Sequence, residues 1–162
     1  FGHYEGVQKL SGEGITVASI DSGVRFYHPA LVGQYRGNRG GSFDHNYHWF
    51  DIYGHSPDPV DSGSHGTHTM GTMVARGRST AEPAVGVAPG ASWITVRACG
   101  ARECGESDLI LAAQWLLAPT DLAGNNPRPD LRPHVISNSW TAGQDADWYA
   151  GYTAAWRAAG IY

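Results

Sequence analysis

The sequence predicts an α/β fold, with a mostly parallel sheet flanked by helices. Three short β-branched runs, at 14–20, 92–98 and 135–140, alternate along the chain with segments whose apolar residues have helical spacing. This alternation is typical of right-handed βαβ units. The chain has 162 residues, of which 41% are hydrophobic and 16% charged, which is enough for one domain with a sizeable core.

The first strand, 14–20, is a buried β-branched run that leads into a turn at Asp21-Ser22-Gly23. The stretch 33–63 follows, and its glycines, prolines and aspartates predict long loops. Several aromatic residues within that stretch predict one strand near 43–50.

Residues 65–75 combine methionine and valine with small residues and predict a buried helix. Gly66 and Gly71 lie inside it, although a glycine costs about 1 kcal/mol relative to alanine in a helix interior. Glycines at such positions indicate that another part of the chain packs close to the helix backbone.

The second strand, 92–98, leads into another helix. Ser107 is the expected N-cap of that helix, apolar residues at helical spacing continue to Leu117, and Pro119 closes it. The following stretch, 120–133, is rich in asparagine, proline and aspartate and predicts a surface loop.

The last helix is expected over about 145–159, after the third strand. Acidic Asp145 and Asp147 stand at its start and basic Arg157 in its last turn. This arrangement agrees with the polarity of a helix, whose N-terminus favours negative and whose C-terminus favours positive charge.

Net charge and hydropathy exclude two classes of partner. A formal net charge of −4 argues against a nucleic-acid-binding surface. No apolar run approaches the roughly 20 residues that a bilayer-spanning helix needs, so we expect no membrane-spanning segment.

Cys99 and Cys104 leave three alternatives open. A closed disulfide loop suits an extracellular protein, a zinc site would need two further ligands at matching spacing, and two free thiols suit a reducing compartment. We favour the disulfide, on the condition that the protein is extracellular.

The residues that carry chemistry stand near the carboxyl ends of predicted strands, where active sites of parallel sheets collect. Asp21, Cys99 and Ser139 are at or near such ends, and His65 starts a helix. Asp21 and His65 fit three roles from their residue types alone: acid and base of a hydrolytic triad, ligands of a metal, or a satisfied polar pair.

His68 shares a helix face with His65 because the two are three residues apart. Together with Asp21 they would provide two histidines and one carboxylate for a metal. The sequence lacks the His-Glu-x-x-His of zinc peptidases, so we expect no metal here.

Four short motifs follow one another along the chain. They are Asp21-Ser22-Gly23, His65-Gly66-Thr67-His68, Gly86-Val87-Ala88-Pro89 and Val135-Ile136-Ser137-Asn138-Ser139-Trp140. In order and spacing this set resembles the subtilisin-like serine proteases, over residues 14–160. The segments Asn138-Ser139-Trp140 and Asn46-Tyr47-His48-Trp49-Phe50-Asp51 are most similar in sequence to the bacillopeptidase F-like branch of that family.

The resemblance implies a role for each matching residue. Asp21 would be the triad acid and His65 the general base, and His68 would have a packing role. An extended peptide would lie between two edge segments and add to them as a strand. Those segments are Ser139, Trp140 and Thr141 on one side and Gly100, Ala101 and Arg102 on the other.

Three details of that cleft remain open in the sequence. Thr141 stands where the family usually has glycine, which changes the depth of the adjoining pocket. A disulfide between Cys99 and Cys104 would stiffen the loop that faces the substrate. Trp140 fits ordinary core packing as well as a pocket role.

No cofactor is required for the chemistry that the resemblance implies. Structural calcium occurs in many subtilisin relatives, and four aspartates precede His65, but their spacing matches no defined calcium loop. We therefore interpret them as solvated loop residues. They are Asp44, Asp51, Asp58 and Asp61.

No serine of the chain stands in the family's Gly-Thr-Ser-Met-Ala setting. In subtilisin the serine follows the histidine by roughly 150 residues, which here lies past Tyr162. The resemblance therefore implies that residues 1–162 are the N-terminal part of one peptidase catalytic domain, with a sheet incomplete at its C-terminal side. Such a chain has no oxyanion asparagine and is expected to be inactive alone.

Two classes of function follow. The first is a portion of a secreted serine endopeptidase that acts on peptides or proteins and is completed by a C-terminal part or a second chain. The second is a non-catalytic relative that binds extended peptides by strand addition. The complete His-Gly-Thr-His setting beside an intact Asp-Ser-Gly favours the enzyme. An open sheet edge would also favour a dimer or a complementing part.

Overall fold

Four parallel strands form one sheet in the computed structural model, which describes residues 10–77, 83–101, 103–141 and 146–162. The spatial order of the strands is β2-β3-β1-β4. In chain order the elements are β1 (Thr16–Asp21), β2 (Trp49–Asp51), α1 (His65–Val74), β3 (Ser92–Arg97), α2 (Glu106–Leu117), β4 (Val135–Asn138) and α3 (Ala150–Ala158). The predicted α/β class with a parallel sheet is confirmed. None of the helices within the described residues is long and apolar enough to cross a membrane.

The strand near 43–50 and the start of the second helix differ from the sequence-based expectation. The strand expected near 43–50 has only the three residues of β2. Ser107 is inside α2 rather than its N-cap, because Gly105 is extended there and its carbonyl accepts from the amides of Asp108 and Leu109. The helix therefore begins at Glu106, whose negative charge is favourable in the first helical turn.

The last helix is divided into two parts. Its first turn, Ala146–Tyr149, is a 3₁₀ helix and only Ala150–Ala158 is α-helical. Asp147 stands in the first turn and Arg157 in the last, as expected, whereas Asp145 is outside the described residues. The loop expected at 120–133 likewise contains a short 3₁₀ turn at Pro129–Leu131.

Alternation along the central strand β1 separates the two faces of the sheet. Ala18 and Ile20 pack in one apolar cluster with α2 and α3, whereas Val17 packs in the other cluster with α1. Side chains along a strand point alternately to opposite faces, so Ser19 and Asp21 share the face of Val17. The last residue of β1 therefore presents its carboxylate toward α1.

The first turn of α1 lies directly against the turn that follows β1. An added Cβ at Gly66 would be 2.0 Å from the carbonyl oxygen of Gly23, so no larger residue fits without displacing backbone. The close approach inferred from the sequence is correct for Gly66. It is wrong for Gly71, where the nearest atom to an added Cβ is the Ala75 side chain at 4.0 Å.

A half-buried arginine joins the loop before β2 to the segment before β4. Arg36 donates from Nε to His48 Nδ1 (3.0 Å) and from its two terminal nitrogens to the carbonyls of Leu131 (2.9 Å) and Tyr47 (2.8 Å). Burial, and then the positive charges of Arg36 and Arg39, lower the pKa of His48 to about 4. His48 is therefore neutral in the folded protein and accepts from the guanidinium.

The contrast between the two glycines of α1 gives a paired test. Gly66→Ala is expected to lower the free energy of unfolding by about 2–3 kcal/mol, because its Cβ has to displace backbone. Gly71→Ala is expected to leave it unchanged or to raise it by up to about 1 kcal/mol through better helix propensity. Urea unfolding of both variants measures this, and equal effects would contradict the close approach at Gly66.

His48 makes stability depend on pH. The unfolded chain protonates a histidine near its ordinary pKa of 6.5, whereas the folded protein holds His48 neutral until about pH 4. The unfolded state therefore binds this proton first, and stability from His48 is lost as pH falls from about 6.5 to about 4. The loss is expected to reach up to about 3 kcal/mol.

The variant His48→Gln isolates that effect. A glutamine carbonyl can still accept from the Arg36 guanidinium but does not titrate. Urea unfolding of both proteins across this pH range is expected to give a flatter pH profile for the variant. Parallel profiles would show that His48 does not cause the pH dependence.

Candidate active site

A buried carboxylate and an exposed imidazole meet where β1 ends and α1 begins. His65 Nδ1 is 2.8 Å from Asp21 Oδ1 and 3.1 Å from Oδ2. The Asp21 side chain is 4% exposed and the His65 side chain 56%. A proton on Nδ1 is donated to the carboxylate, which leaves Nε2 as an acceptor facing outward.

Two further donors fix the Asp21 carboxylate. The Ser22 amide donates to Oδ1 (2.7 Å) and the Thr69 hydroxyl to Oδ2 (3.2 Å). Thr69 stands one helical turn after His65, so the helix that carries the imidazole also holds its partner. Thr69 was not predicted as a site residue, although its spacing from His65 on one helix face was visible in the sequence.

Asp21 and His65 open onto a cleft of about 290 Å³ at the carboxyl edge of the sheet. Five of the six residues in the two predicted substrate-binding segments line the same cleft, namely Ser139, Trp140, Thr141, Gly100 and Ala101. Glu103, which was not predicted, also lines it. Arg102 is outside the described residues. Substrate binding by these residues stays a prediction, but the structure brings them together around the pair.

A comparison with models of known families identifies the family of this chain. The model of the subtilase family matches residues 12–160. The chain belongs to the subtilase family.

Several curated relatives match this subtilase. It is 42% identical to bacillopeptidase F of Bacillus subtilis (strain 168) over 159 residues, which are 93% of this chain and 11% of that protein. It is 31% identical to serine protease AprX of the same organism, over 82% of this chain and 26% of that protein. It is 32% identical to the minor extracellular protease Vpr, also of that organism, over 63% of this chain and 12% of that protein. The chain thus spans about a tenth to a quarter of the length of these relatives.

The two cysteines of this subtilase form a disulfide on the rim of the cleft. Within the loop that it closes, the Gly100 amide donates to the Glu103 carbonyl (2.8 Å). The amides of Ala98 and Cys99 both donate to the Asp21 carbonyl, at 3.0 and 3.1 Å. The loop is therefore tied to the residue that holds His65.

Trp140 both packs against a core residue and lines the cleft, and its role toward a substrate stays a prediction. Its ring packs edge to face against Tyr149, with centroids 5.1 Å apart, and it also lines the cleft. The indole nitrogen is buried without a hydrogen-bond partner among the described residues. Trp140 thus anchors the segment after β4 to the helical layer.

His68 is directed away from the pair. It lines a separate groove on the other side of α1, together with residues such as Arg25 and His28. Within the described residues no group of three histidine, cysteine, aspartate or glutamate side chains is placed to hold a metal ion.

The four aspartates before His65 differ in their surroundings. The interpretation of Asp51 as a solvated loop residue is wrong, since it is buried at the end of β2. It accepts from the amides of Tyr53, Gly54 and Ser56 and pairs with Arg97 at 3.2 Å. Because protein donors satisfy its oxygens, Asp51 fixes the loop after β2.

The disulfide is expected to stabilise the protein by about 2 kcal/mol, since it closes a loop of only a few residues. Urea unfolding with and without a thiol reductant measures this difference in free energy of unfolding for one and the same amino-acid sequence. The double variant Cys99→Ala/Cys104→Ala serves as the control and should not respond to the reductant. Alkylation of both thiols in unreduced protein from an oxidising compartment would contradict the pairing.

Proposed function

We propose that this chain supplies the acid–base part of a subtilisin-like serine endopeptidase. The observation that carries the proposal is the pairing of buried Asp21 with exposed His65 at the mouth of a cleft. Family membership and the serine protease named among the relatives support it.

In the proposed reaction His65 is the general base. Its Nε2 takes the proton of a serine hydroxyl as the serine oxygen attacks the scissile carbonyl, and it then returns the proton to the leaving amine. Asp21 holds the Nδ1 proton, which fixes the tautomer and stabilises the imidazolium. The donors from Ser22 and Thr69 keep the carboxylate in place for this role.

The nucleophile and the oxyanion donor are proposed to come from residues other than these 162. Among the described residues no serine hydroxyl forms a hydrogen bond with His65, although Ser139 lines the same cleft. We infer that a C-terminal part or a second chain brings the serine to Nε2, and dimerisation is one arrangement that would do so.

The proposed substrate is an extended peptide or protein segment. It would lie in the cleft between Ser139–Thr141 and Gly100–Ala101, whose small residues allow backbone to approach backbone. Secretion is proposed on two grounds: a disulfide persists in oxidising compartments, and one relative is named an extracellular protease.

The pure 162-residue chain is expected to show no turnover of casein or peptide anilides, because it carries an acid and a base without a nucleophile. A protein that joins these residues to a Gly-Thr-Ser segment is expected to hydrolyse both and to be labelled by a fluorophosphonate. In that protein Asp21→Asn should lower kcat on the order of 10⁴-fold and His65→Ala on the order of 10⁶-fold. His68→Ala, on the same helix but outside the cleft, is the matched control and should retain kcat.

Three results would contradict parts of this proposal. Fluorophosphonate-sensitive turnover by the pure chain would show that the nucleophile is already present. Retained kcat in the Asp21 and His65 variants would remove their assigned roles. Binding of extended peptides without turnover in the longer protein would indicate a peptide-binding relative instead.

A further inference from the structure

A second carboxylate, outside the Asp21–His65 pair, holds together the segments that carry that pair. Asp61 Oδ1 accepts from the Ser22 hydroxyl (2.7 Å) and from the amides of Gly63 (3.0 Å) and Ser64 (2.8 Å). Its Oδ2 accepts from the Thr67 amide (2.9 Å) and from the Thr67 hydroxyl. One side chain thus receives five hydrogen bonds.

These bonds connect the residues next to Asp21 and next to His65. Ser22 directly follows Asp21, whereas Ser64 directly precedes His65 and Thr67 is in the first turn of α1. The Ser22 hydroxyl also accepts from the Gly66 amide at 3.0 Å. Asp61 and Ser22 therefore form a bridge between the end of β1 and the start of α1.

The residue at the N-cap of α1 does not cap the helix with its own side chain. Ser64 at the N-cap position is in the left-handed region, with φ at 64°, and its side chain forms no capping bond. The first amides of a helix need acceptors, and a carboxylate also complements the positive end of the helix dipole. Asp61 meets both needs from outside the helix.

Asp61 is suited to this role because it is ionised. Burial raises its pKa, but the hydrogen bonds from Thr67, Gly63 and Ser22 together outweigh burial and lower that pKa below its ordinary value. At neutral pH it therefore accepts through both oxygens.

We propose that Asp61 is a positioning residue for catalysis, which holds His65 Nδ1 against Asp21 by fixing the start of α1 to the end of β1. The inference rests on the proposed function, because it assigns Asp61 to the same acid–base pair. Among the described residues Asp61 forms no hydrogen bond with His65 and does not itself line the cleft, so it acts by fixing the relative position of the two segments.

The test is the tautomer of His65, read from the ¹⁵N shifts of its ring nitrogens at alkaline pH, where an imidazole is neutral. With Nδ1 held against Asp21 the parent chain should carry its proton on Nδ1. In Asp61→Ala the ratio of Nδ1–H to Nε2–H is expected to fall by about five-fold or more, which lies in the range of coupled side chains. A nearby charge also biases the ratio of the two tautomers, so a variant that removes the charge but keeps an acceptor oxygen is needed to separate positioning from charge.

Three further variants make the result specific. Asp61→Asn keeps one oxygen that accepts from Ser22, Gly63 and Ser64, although it loses the bonds from Thr67. Its ratio of Nδ1–H to Nε2–H should therefore stay closer to the parent value than the ratio in Asp61→Ala. Ser22→Ala removes the bridge from the other side and should act in the same direction as Asp61→Ala. Asp121→Ala is the matched control, because Asp121 also accepts from several amides, but these belong to its own loop and not to the segments that carry the pair.

Asp21→Asn separates this inference from the proposed function. If Asp21→Asn leaves the tautomer of His65 unchanged, the pairing on which the proposed function rests is wrong. If Asp21→Asn shifts it while a folded Asp61→Ala does not, Asp61 has no positioning role. Should Asp61→Ala fail to fold, a parent-like tautomer in folded Ser22→Ala would overturn the inference, and a shifted one would support it.

Discussion

The site depends on one close backbone contact, between the first turn of α1 and the turn that follows β1. Gly66 lies so near the Gly23 carbonyl that a Cβ would overlap it, and this proximity is what lets His65 reach Asp21 across only 2.8 Å. A glycine in a helix costs stability, and α1 accepts that cost where the sheet and the helix have to meet. The packing at this contact therefore also determines the geometry of the Asp21–His65 pair.

Asp21 joins this contact to the disulfide-closed loop on the rim of the cleft. Its side chain receives the imidazole, while its carbonyl accepts the amides of Ala98 and Cys99 at the start of the disulfide-closed loop. The alternation of β1 explains why one residue does both, since its side chain points to the α1 face and its main chain pairs with β3. A displacement of this strand end would move the base and one wall of the cleft together.

The sequence predicted the strands, the helices and the pair, because each has a strong local signal. Apolar β-branched runs indicate the strands. Asp21 and His65 stand in short local motifs that can be recognised without knowledge of any tertiary contact. The roles of Asp51 and Asp61 were not predictable in this way, because aspartates in a loop rich in glycine and proline look alike in sequence. Only the folded chain shows that Asp51 is buried against Arg97, and that Asp61 caps a helix whose own N-cap residue forms no capping bond.

The hydrogen bonds of the pair also limit how a nucleophile can use it. Nδ1 is engaged by Asp21, and the carboxylate is itself held by Ser22 and Thr69, so the imidazole is already oriented by residues of the chain itself. With more than half of the imidazole exposed, Nε2 is the nitrogen left for an incoming hydroxyl. A serine that reacts through His65 therefore has to approach from the cleft side, where an extended peptide would also lie. In the proposed reaction, the geometry of the Asp21–His65 pair would thus set the position of the nucleophile relative to the substrate, whichever segment supplies it.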